Sequence, residues 1–130
     1  MKKRVLVAVD GTPRGTRAIE FVRGEFNPDE VYVIVLTVYE DVAPGGLREE
    51  KDYEQARKAL DPILDAAKEG LAGFEIQLLG AIGRAAEHIL DTAEEENADV
   101  IVMTKSHRTI GSVTSHVVKY ATCMIMIVPE

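Results

Sequence analysis

The chain alternates short apolar runs with longer segments of helical periodicity, and this alternation constrains its fold more than any other feature. The order is β-α-β-α-β-α-β-α-β, which predicts one parallel sheet with helices on both faces. It shows no internal repeat, so we expect one α/β domain over residues 1–130. The apolar runs are residues 5–9, 31–38, 74–79, 100–103 and 124–128, and the helical patterns cover residues 13–26, 49–71, 85–96 and a segment that opens at Gly111.

Net charge, the length of the apolar runs and the cysteine count restrict which partners and which cellular compartment the sequence predicts. The chain has 22 acidic and 15 basic residues, a formal net charge of −7, which argues against binding nucleic acid or an anionic membrane by bulk electrostatics. No apolar run reaches the roughly 20 residues of a membrane helix. The single cysteine, Cys123, excludes an internal disulfide, and we expect it to be a buried, inert thiol. These features predict a cytoplasmic protein.

Several local features predict where elements begin, bend and end. Thr12 is a suitable N-cap for a helix that starts at Pro13. Pro62 lies inside a long helical pattern, which should kink there rather than restart with Asp61 as a cap. Residues 80–83 are expected to form a turn. The last helix is expected to bury a stripe of Val113, Val117, Val118 and Ala121.

A ligand site is expected at the carboxyl end of the sheet. Ligands of open parallel sheets bind where the connections change direction, and a helix N-terminus there offers free N–H groups and a positive dipole. The strand at residues 100–103 leads into a polar loop, residues 104–110, and then to Gly111 and Ser112. Asp10 ends the first strand. A second polar loop, residues 39–48, runs from Tyr39 to Arg48 at the same end of the sheet and is a candidate lid.

Three segments stand in register with the motifs of one known family. The family's first strand and its Asp-Gly-Ser are similar to the first segment, VLVAVDGT. Its Gly-x-Pro-Ala-x-x-Ile helix and the strand that follows are similar to the second segment, IGRAAEHILDTAEEENADVIVM. Its final helix and strand are similar to the third, GSVTSHVVKYATCMIMIV. Together they are similar to the universal stress protein family over essentially the whole chain. The resemblance implies a Rossmann-like sheet of order 3-2-1-4-5, of the adenine nucleotide alpha hydrolase-like type.

The chain departs from the nucleotide-binding members of that family in one loop. Those members resemble one another in a loop where Gly-x-x-Gly is followed by nine residues and then by Gly-Ser or Gly-Thr. The glycines of this loop let backbone amides approach the phosphates. Here Thr104 and His107 replace the two glycines, and three residues separate His107 from Gly111 and Ser112. The resemblance therefore implies half a site near ribose and adenine, at Asp10 and at the end of the second strand, with a remodelled phosphate cradle.

The candidate residues each have a structural alternative. Asp10 could face the ligand or bond the turn amides of Gly11 and Thr12. Gly111 and Ser112 could bind an anion or only start a helix. Lys105, His107 and Arg108 form a basic group that could replace the glycine loop, or only a solvated loop. The candidate binding residues are Asp10, Gly11, Thr12, Val38, Thr104, Lys105, His107, Arg108, Gly111 and Ser112.

Three functions follow from these residues. The first is a universal-stress-protein-like regulatory module that acts through protein partners, with a degenerate nucleotide site and no cofactor. The second is a binder of ATP or another adenine nucleotide, with Mg²⁺ for ATP. The third is a slow nucleotide hydrolase, for which the sequence offers no metal ligands and no activated nucleophile. The final apolar run, Met124–Val128, is expected in the core, with an outer edge that predicts a homodimer.

Overall fold

The computed structural model describes residues 2–40, 46–47, 49–105 and 111–129. Strands and helices alternate along these residues from first to last, as the sequence predicts. No helix within them is both long enough and apolar enough to cross a membrane. The elements are β1 (Lys3–Val9), α1 (Pro13–Glu25), β2 (Val31–Glu40), α2 (Glu50–Gly70), β3 (Glu75–Gly83), α3 (Ala85–Glu95), β4 (Val100–Thr104), α4 (Ser112–Tyr120) and β5 (Met124–Val128).

The five strands form one parallel sheet in the order β3-β2-β1-β4-β5, which confirms the predicted order. Strand β1 lies at the centre, where Val7 pairs with Val35 of β2 and with Val102 of β4. All three side chains are fully buried. Central strands of this kind are covered on both faces, which is why their sequences are continuous apolar runs.

Successive side chains of each strand face opposite helical layers. Val5 and Val7 pack with the buried residues of α1 and α2, whereas Leu6 packs with those of α3 and α4. The chain moves outward from β1 to β2 and β3, then crosses to the other side of β1 for β4 and β5. The connections therefore diverge at the carboxyl ends of β1 and β4, which leaves a cleft there.

The start of α1 and the course of α2 follow from their sequences. Thr12 is the N-cap of α1, and its hydroxyl accepts a hydrogen bond from the N–H of Arg14 at 3.2 Å. Helix α2 continues through Pro62, so a restart at Asp61 is wrong. Its buried stripe stays in phase on both sides of the proline, and packing of both halves offsets the one backbone hydrogen bond that proline cannot donate.

The turn predicted for residues 80–83 is wrong, because these residues complete β3. Strand β2 extends to Glu40, which pairs with Gly83, so the ladder continues two residues beyond the predicted end of β2. Tyr39 and Glu40 therefore belong to a strand and not to the candidate lid. Residues 41–45 and 48 of that predicted loop lie outside the described residues.

The last helix and strand are less buried than the sequence predicts. Val117 is fully buried, but Val118 is 48% exposed, because only a narrow stripe of α4 faces the sheet. Strand β5 is an edge strand, and its first residue, Met124, is 65% exposed. Val128, at the other end of β5, is buried. The expectation that this run is core is therefore correct for its end and wrong for its start.

Candidate ligand-binding site

A cleft of about 350 Å³ opens at the carboxyl ends of β1, β2 and β4, a size found among small-molecule sites. Three helices, α1, α3 and α4, begin at its rim. Each helix N-terminus carries partial positive charge and amides without an intrahelical partner. The lining residues are Ala8, Val9, Asp10, Arg14, Gly15, Leu36, Val38, Glu40, Ala85, Ile89, Met103, Thr104, Gly111, Ser112, Val113 and Thr114.

The cleft has two chemically different sides. The side formed by β2 and α3 presents the aliphatic side chains of Leu36, Val38 and Ile89, and the small residue Ala85. The side formed by β4 and α4 also has apolar residues, Met103 and Val113, but adds the polar residues Thr104 and Ser112 and the amides that begin α4. An apolar wall opposite a set of hydrogen-bond donors suits a ligand with a flat apolar part and an anionic part.

Asp10 makes the turn contacts that its structural alternative predicts. Its Oδ1 accepts hydrogen bonds from the N–H of Thr12 at 3.0 Å and from the Thr12 hydroxyl. Its Oδ2 lies 3.4 Å from Nη2 of Arg14. The side chain is nevertheless 52% exposed and lines the cleft. The turn contacts fix the carboxylate in place without removing it from the site.

Arg14 is held in the cleft from two directions. Its guanidinium contacts Asp10, and its carbonyl oxygen accepts a 2.6 Å hydrogen bond from the hydroxyl of Thr104. This bond joins the end of β4 to the first turn of α1. Its side chain is 26% exposed, and Arg14 is the cation that lines the cleft among the residues described.

Glu40 lies at the opposite rim, where β2 ends. Its Oε2 accepts a hydrogen bond from the N–H of Ala85 at 3.3 Å, and so satisfies an amide that begins α3. A carboxylate at a helix N-terminus is also favoured by the dipole. Glu40 therefore fixes α3 against β2 and holds Ala85 in the wall of the cleft.

Gly111 and Ser112 have different roles at the start of α4. Gly111, and not Ser112, is the N-cap of α4, and it has no side chain with which to cap the helix. Ser112 is the first helical residue, is exposed and lines the cleft. Among the residues described, the Ser112 hydroxyl is therefore not the N-cap of α4.

The other predicted site residues lie apart from the cleft or outside the described ranges. Gly11 and Thr12 line a second groove, between α1 and α2, and do not line the cleft. Lys105 donates its N–H to the carbonyl of Val128 at 2.7 Å, toward the edge strand β5. His107 and Arg108 lie outside the described residues. Asp10, Val38, Thr104, Gly111 and Ser112 meet in the cleft.

Arg14 and Glu40 line the cleft but are not among the site residues predicted from the sequence. A usable signal exists for Arg14: it is a cation in the first turn of a helix that has no acidic residue there, against the usual preference for acids at that end. Glu40 has no comparable signal, because the apolar run of β2 ends before it. No group of three or more potential metal ligands occurs in the described part of the chain.

Comparisons with known proteins agree with this fold. The profile described as "Universal stress protein family" matches residues 1–129. A universal stress protein of Thermus aquaticus, encoded in the QAH/OAS sulfhydrylase 3′ region, is 31% identical over 137 residues, covering 98% of this chain and 99% of the relative.

Solved structures give the same architecture with ligands bound. The universal stress protein from Archaeoglobus fulgidus in complex with dAMP superposes with a TM-score of 0.67 at 22% identity, over 98% of this chain and 97% of that one. A universal stress protein family member from Arabidopsis thaliana with AMP bound has a TM-score of 0.70 at 19% identity, over 98% and 91%. At these identities the likeness establishes the fold.

Proposed function

This chain belongs to the universal stress protein family, and we propose that it is a cytoplasmic, single-domain regulatory module of the stress response that binds an adenine mononucleotide. The observation that carries the proposal is the two-sided cleft at the carboxyl ends of β1 and β4. Structural neighbours with the same fold are described in complex with dAMP and with AMP. Both ligands combine a flat adenine with one phosphate.

The adenine is assigned to the β2 side of the cleft. Leu36, Val38 and Ile89 provide apolar surface for the base, and burying it there is favourable by about 25 cal/mol per Å² of apolar area. Ala85 leaves room that a larger side chain would fill. Asp10, fixed by the turn at Thr12, lies between the two sides, where its carboxylate can accept a hydrogen bond from the sugar.

The phosphate is assigned to the start of α4. The first amides of a helix and its dipole form an anion site, and Gly111 and Ser112 place such a terminus in the cleft. The connection from Thr104 to Gly111 lacks both glycines of the binder pattern and is six residues shorter. A shorter cradle offers fewer amides, so we propose a remodelled site that holds one phosphate better than three.

A substitution that fills the base side tests this assignment. Ala85→Leu extends into the cleft and should abolish thermal stabilisation by AMP. Ala66→Leu is the matched control, because Ala66 is exposed in the groove between α1 and α2, and it should leave the stabilisation by AMP unchanged. Equal stabilisation of both variants would contradict the assignment. ATP, with and without Mg²⁺, should stabilise the wild-type chain less than AMP does.

Lys105 and Arg108 are tested separately, since their side chains could supply charge from the β4–α4 loop. If they hold the phosphate, the double variant Lys105→Ala/Arg108→Ala should weaken AMP or inorganic phosphate binding by at least about tenfold. Unchanged affinity for both ligands would show that this basic loop is not the phosphate site.

We propose further that the chain forms a homodimer through the edge of β5. The side of β5 away from β4 has no partner strand within the described residues, and open edges favour pairing with a second strand. Large apolar side chains are exposed on β5 and on the helix that precedes it, α4: Val118, Tyr120 and Met124. Association through this edge would provide a regulatory output even where the nucleotide site is degenerate.

Solution mass tests the dimer. Sedimentation across a wide concentration range should show dimers that dissociate on dilution. Met124→Lys should weaken this association by placing a charge at the interface. Tyr53→Lys is the control, because Tyr53 is 36% exposed and lies on α2, away from β5. A wild-type mass that stays monomeric at every concentration would contradict the dimer.

A further inference from the structure

We propose that Arg14 grips the phosphate of the bound nucleotide, with Asp10 as the residue that positions its guanidinium. The proposal rests on the proposed function and names the cation that the remodelled site would use. Arg14 lines the cleft together with Gly111 and Ser112. A phosphate at the start of α4 would therefore share one cleft with the guanidinium.

The position of Arg14 in its helix is the first argument. It is the second residue of α1, and the first turn of α1 has no acidic side chain. A cation at a helix N-terminus meets the positive end of the dipole, which is typically unfavourable by about 0.3–1 kcal/mol. A phosphate bound beside Arg14 would offset this repulsion, because it is attracted by both the guanidinium and the helix terminus.

The contact with Asp10 is the second argument. The Nη2–Oδ2 distance is 3.4 Å, longer than the roughly 2.7–2.9 Å of a strong charge-assisted hydrogen bond. Guanidinium has five N–H donors in a planar fork, and the contact with Asp10 is made through Nη2 alone. The remaining donors can bind phosphate while Asp10 keeps the side chain oriented toward the cleft.

The main chain of Arg14 is the third argument. The hydroxyl of Thr104 donates to its carbonyl oxygen at 2.6 Å, so the backbone from which the side chain extends is fixed to the end of β4. The end of β4 and the start of α4 line the same cleft. The backbone of Arg14 is therefore fixed at the cleft that the start of α4 also lines, as a preorganised anion site requires.

The test compares AMP with adenosine, which lacks the phosphate. Arg14→Gln should weaken AMP binding by at least about tenfold and leave adenosine binding unchanged. Arg14→Lys, which keeps the charge and loses the fork, should fall between Arg14→Gln and the wild type. Asp10→Asn should lower the AMP affinity more than the adenosine affinity, because it loosens the guanidinium that holds the phosphate as well as the contact with the sugar. Arg17→Ala is the matched control, since Arg17 is on the same helix, pairs with Glu20 and does not line the cleft.

The outcomes separate this inference from the proposed function. AMP bound equally well by the wild type and by Arg14→Gln would overturn the role of Arg14 and leave the nucleotide site intact. Equal loss of AMP and adenosine in Arg14→Gln would also overturn it, because the residue would then act on the fold of the cleft. A wild-type chain that binds neither AMP nor adenosine would contradict both proposals.

Discussion

The hydroxyl of Thr104 donates a hydrogen bond to the main-chain carbonyl oxygen of Arg14, with the two oxygens 2.6 Å apart. This bond ties the last residue of β4 to the first turn of α1 across the mouth of the cleft. Thr104→Val keeps the shape and removes the donor, so we expect it to lower the free energy of unfolding by about 1 kcal/mol. Thr104→Ser retains the hydroxyl and should be closer to the wild type in urea titrations. Identical midpoints for the valine and serine variants would show that the bond contributes nothing.

Substitution of Thr37 by valine should raise the free energy of unfolding, whereas Thr104→Val should lower it. Thr37 is 1% exposed, and its hydroxyl has no hydrogen-bond partner in the described ranges of the chain. A buried polar group without a partner costs about 1–3 kcal/mol. Thr37→Val replaces that hydroxyl with a methyl group of similar size, so we expect a rise of about 1 kcal/mol in the free energy of unfolding. Thr37→Ala should destabilise by leaving a cavity; a loss of stability in Thr37→Val would instead indicate that the hydroxyl is bonded in solution.

Alanine substitutions at two glycines with positive φ distinguish the cost of backbone strain from the cost of a steric clash. Gly11 has φ +77°, and a Cβ there would lie 2.7 Å from Cδ1 of Ile63; Gly73 has φ +92° and open space around it. Gly73→Ala should cost about 1 kcal/mol for the left-handed conformation alone. Gly11→Ala should cost more, because Ile63 must also move. Thermal unfolding compares them, with Gly24→Ala as a control that should stabilise α1 slightly.

Cys123 should react slowly with thiol reagents. Cys123 is partly buried and not fully buried as the sequence predicts. This burial raises the pKa of its thiol, a backbone hydrogen bond at Cys123 lowers it, and the Asp99 carboxylate raises it further. Because the thiolate is the reactive species, the labelling rate of the native chain should reach its midpoint at a higher pH than that of the unfolded chain. Because folding raises this pKa, the thiol stabilises the fold at pH values below its unfolded-state pKa. That contribution is lost as the pH rises through the folded-state pKa. A native midpoint at or below the unfolded one would contradict this.

Most of the fold could be predicted because its signals are local. The runs that became β1 and β4 are continuously apolar, and the caps at Thr12 and Gly111 lie next to the helices they begin. The error at residues 80–83 arose because glycines there favour a turn, whereas the pairing of Gly83 with Glu40 depends on how far β2 extends. Pairing between strands distant in sequence is not encoded in either segment alone.

The site could be predicted only in part, for the same reason. The switch point, Asp10, Val38 and the start of α4 follow from the element order and the family resemblance. Arg14 enters the cleft through contacts with Asp10 and with Thr104, which is ninety residues away in sequence. Gly11 and Thr12 are next to Asp10 in sequence, but the chain turns there and places them in the groove between α1 and α2.

The most direct test of the account is a calorimetric titration of the nucleotide-stripped wild-type chain with AMP. We expect saturable binding with a Kd between micromolar and submillimolar values, and its loss in Ala85→Leu. Absence of binding heat, together with absence of thermal stabilisation at millimolar AMP, would contradict the central claim that the cleft at the ends of β1 and β4 is a nucleotide site.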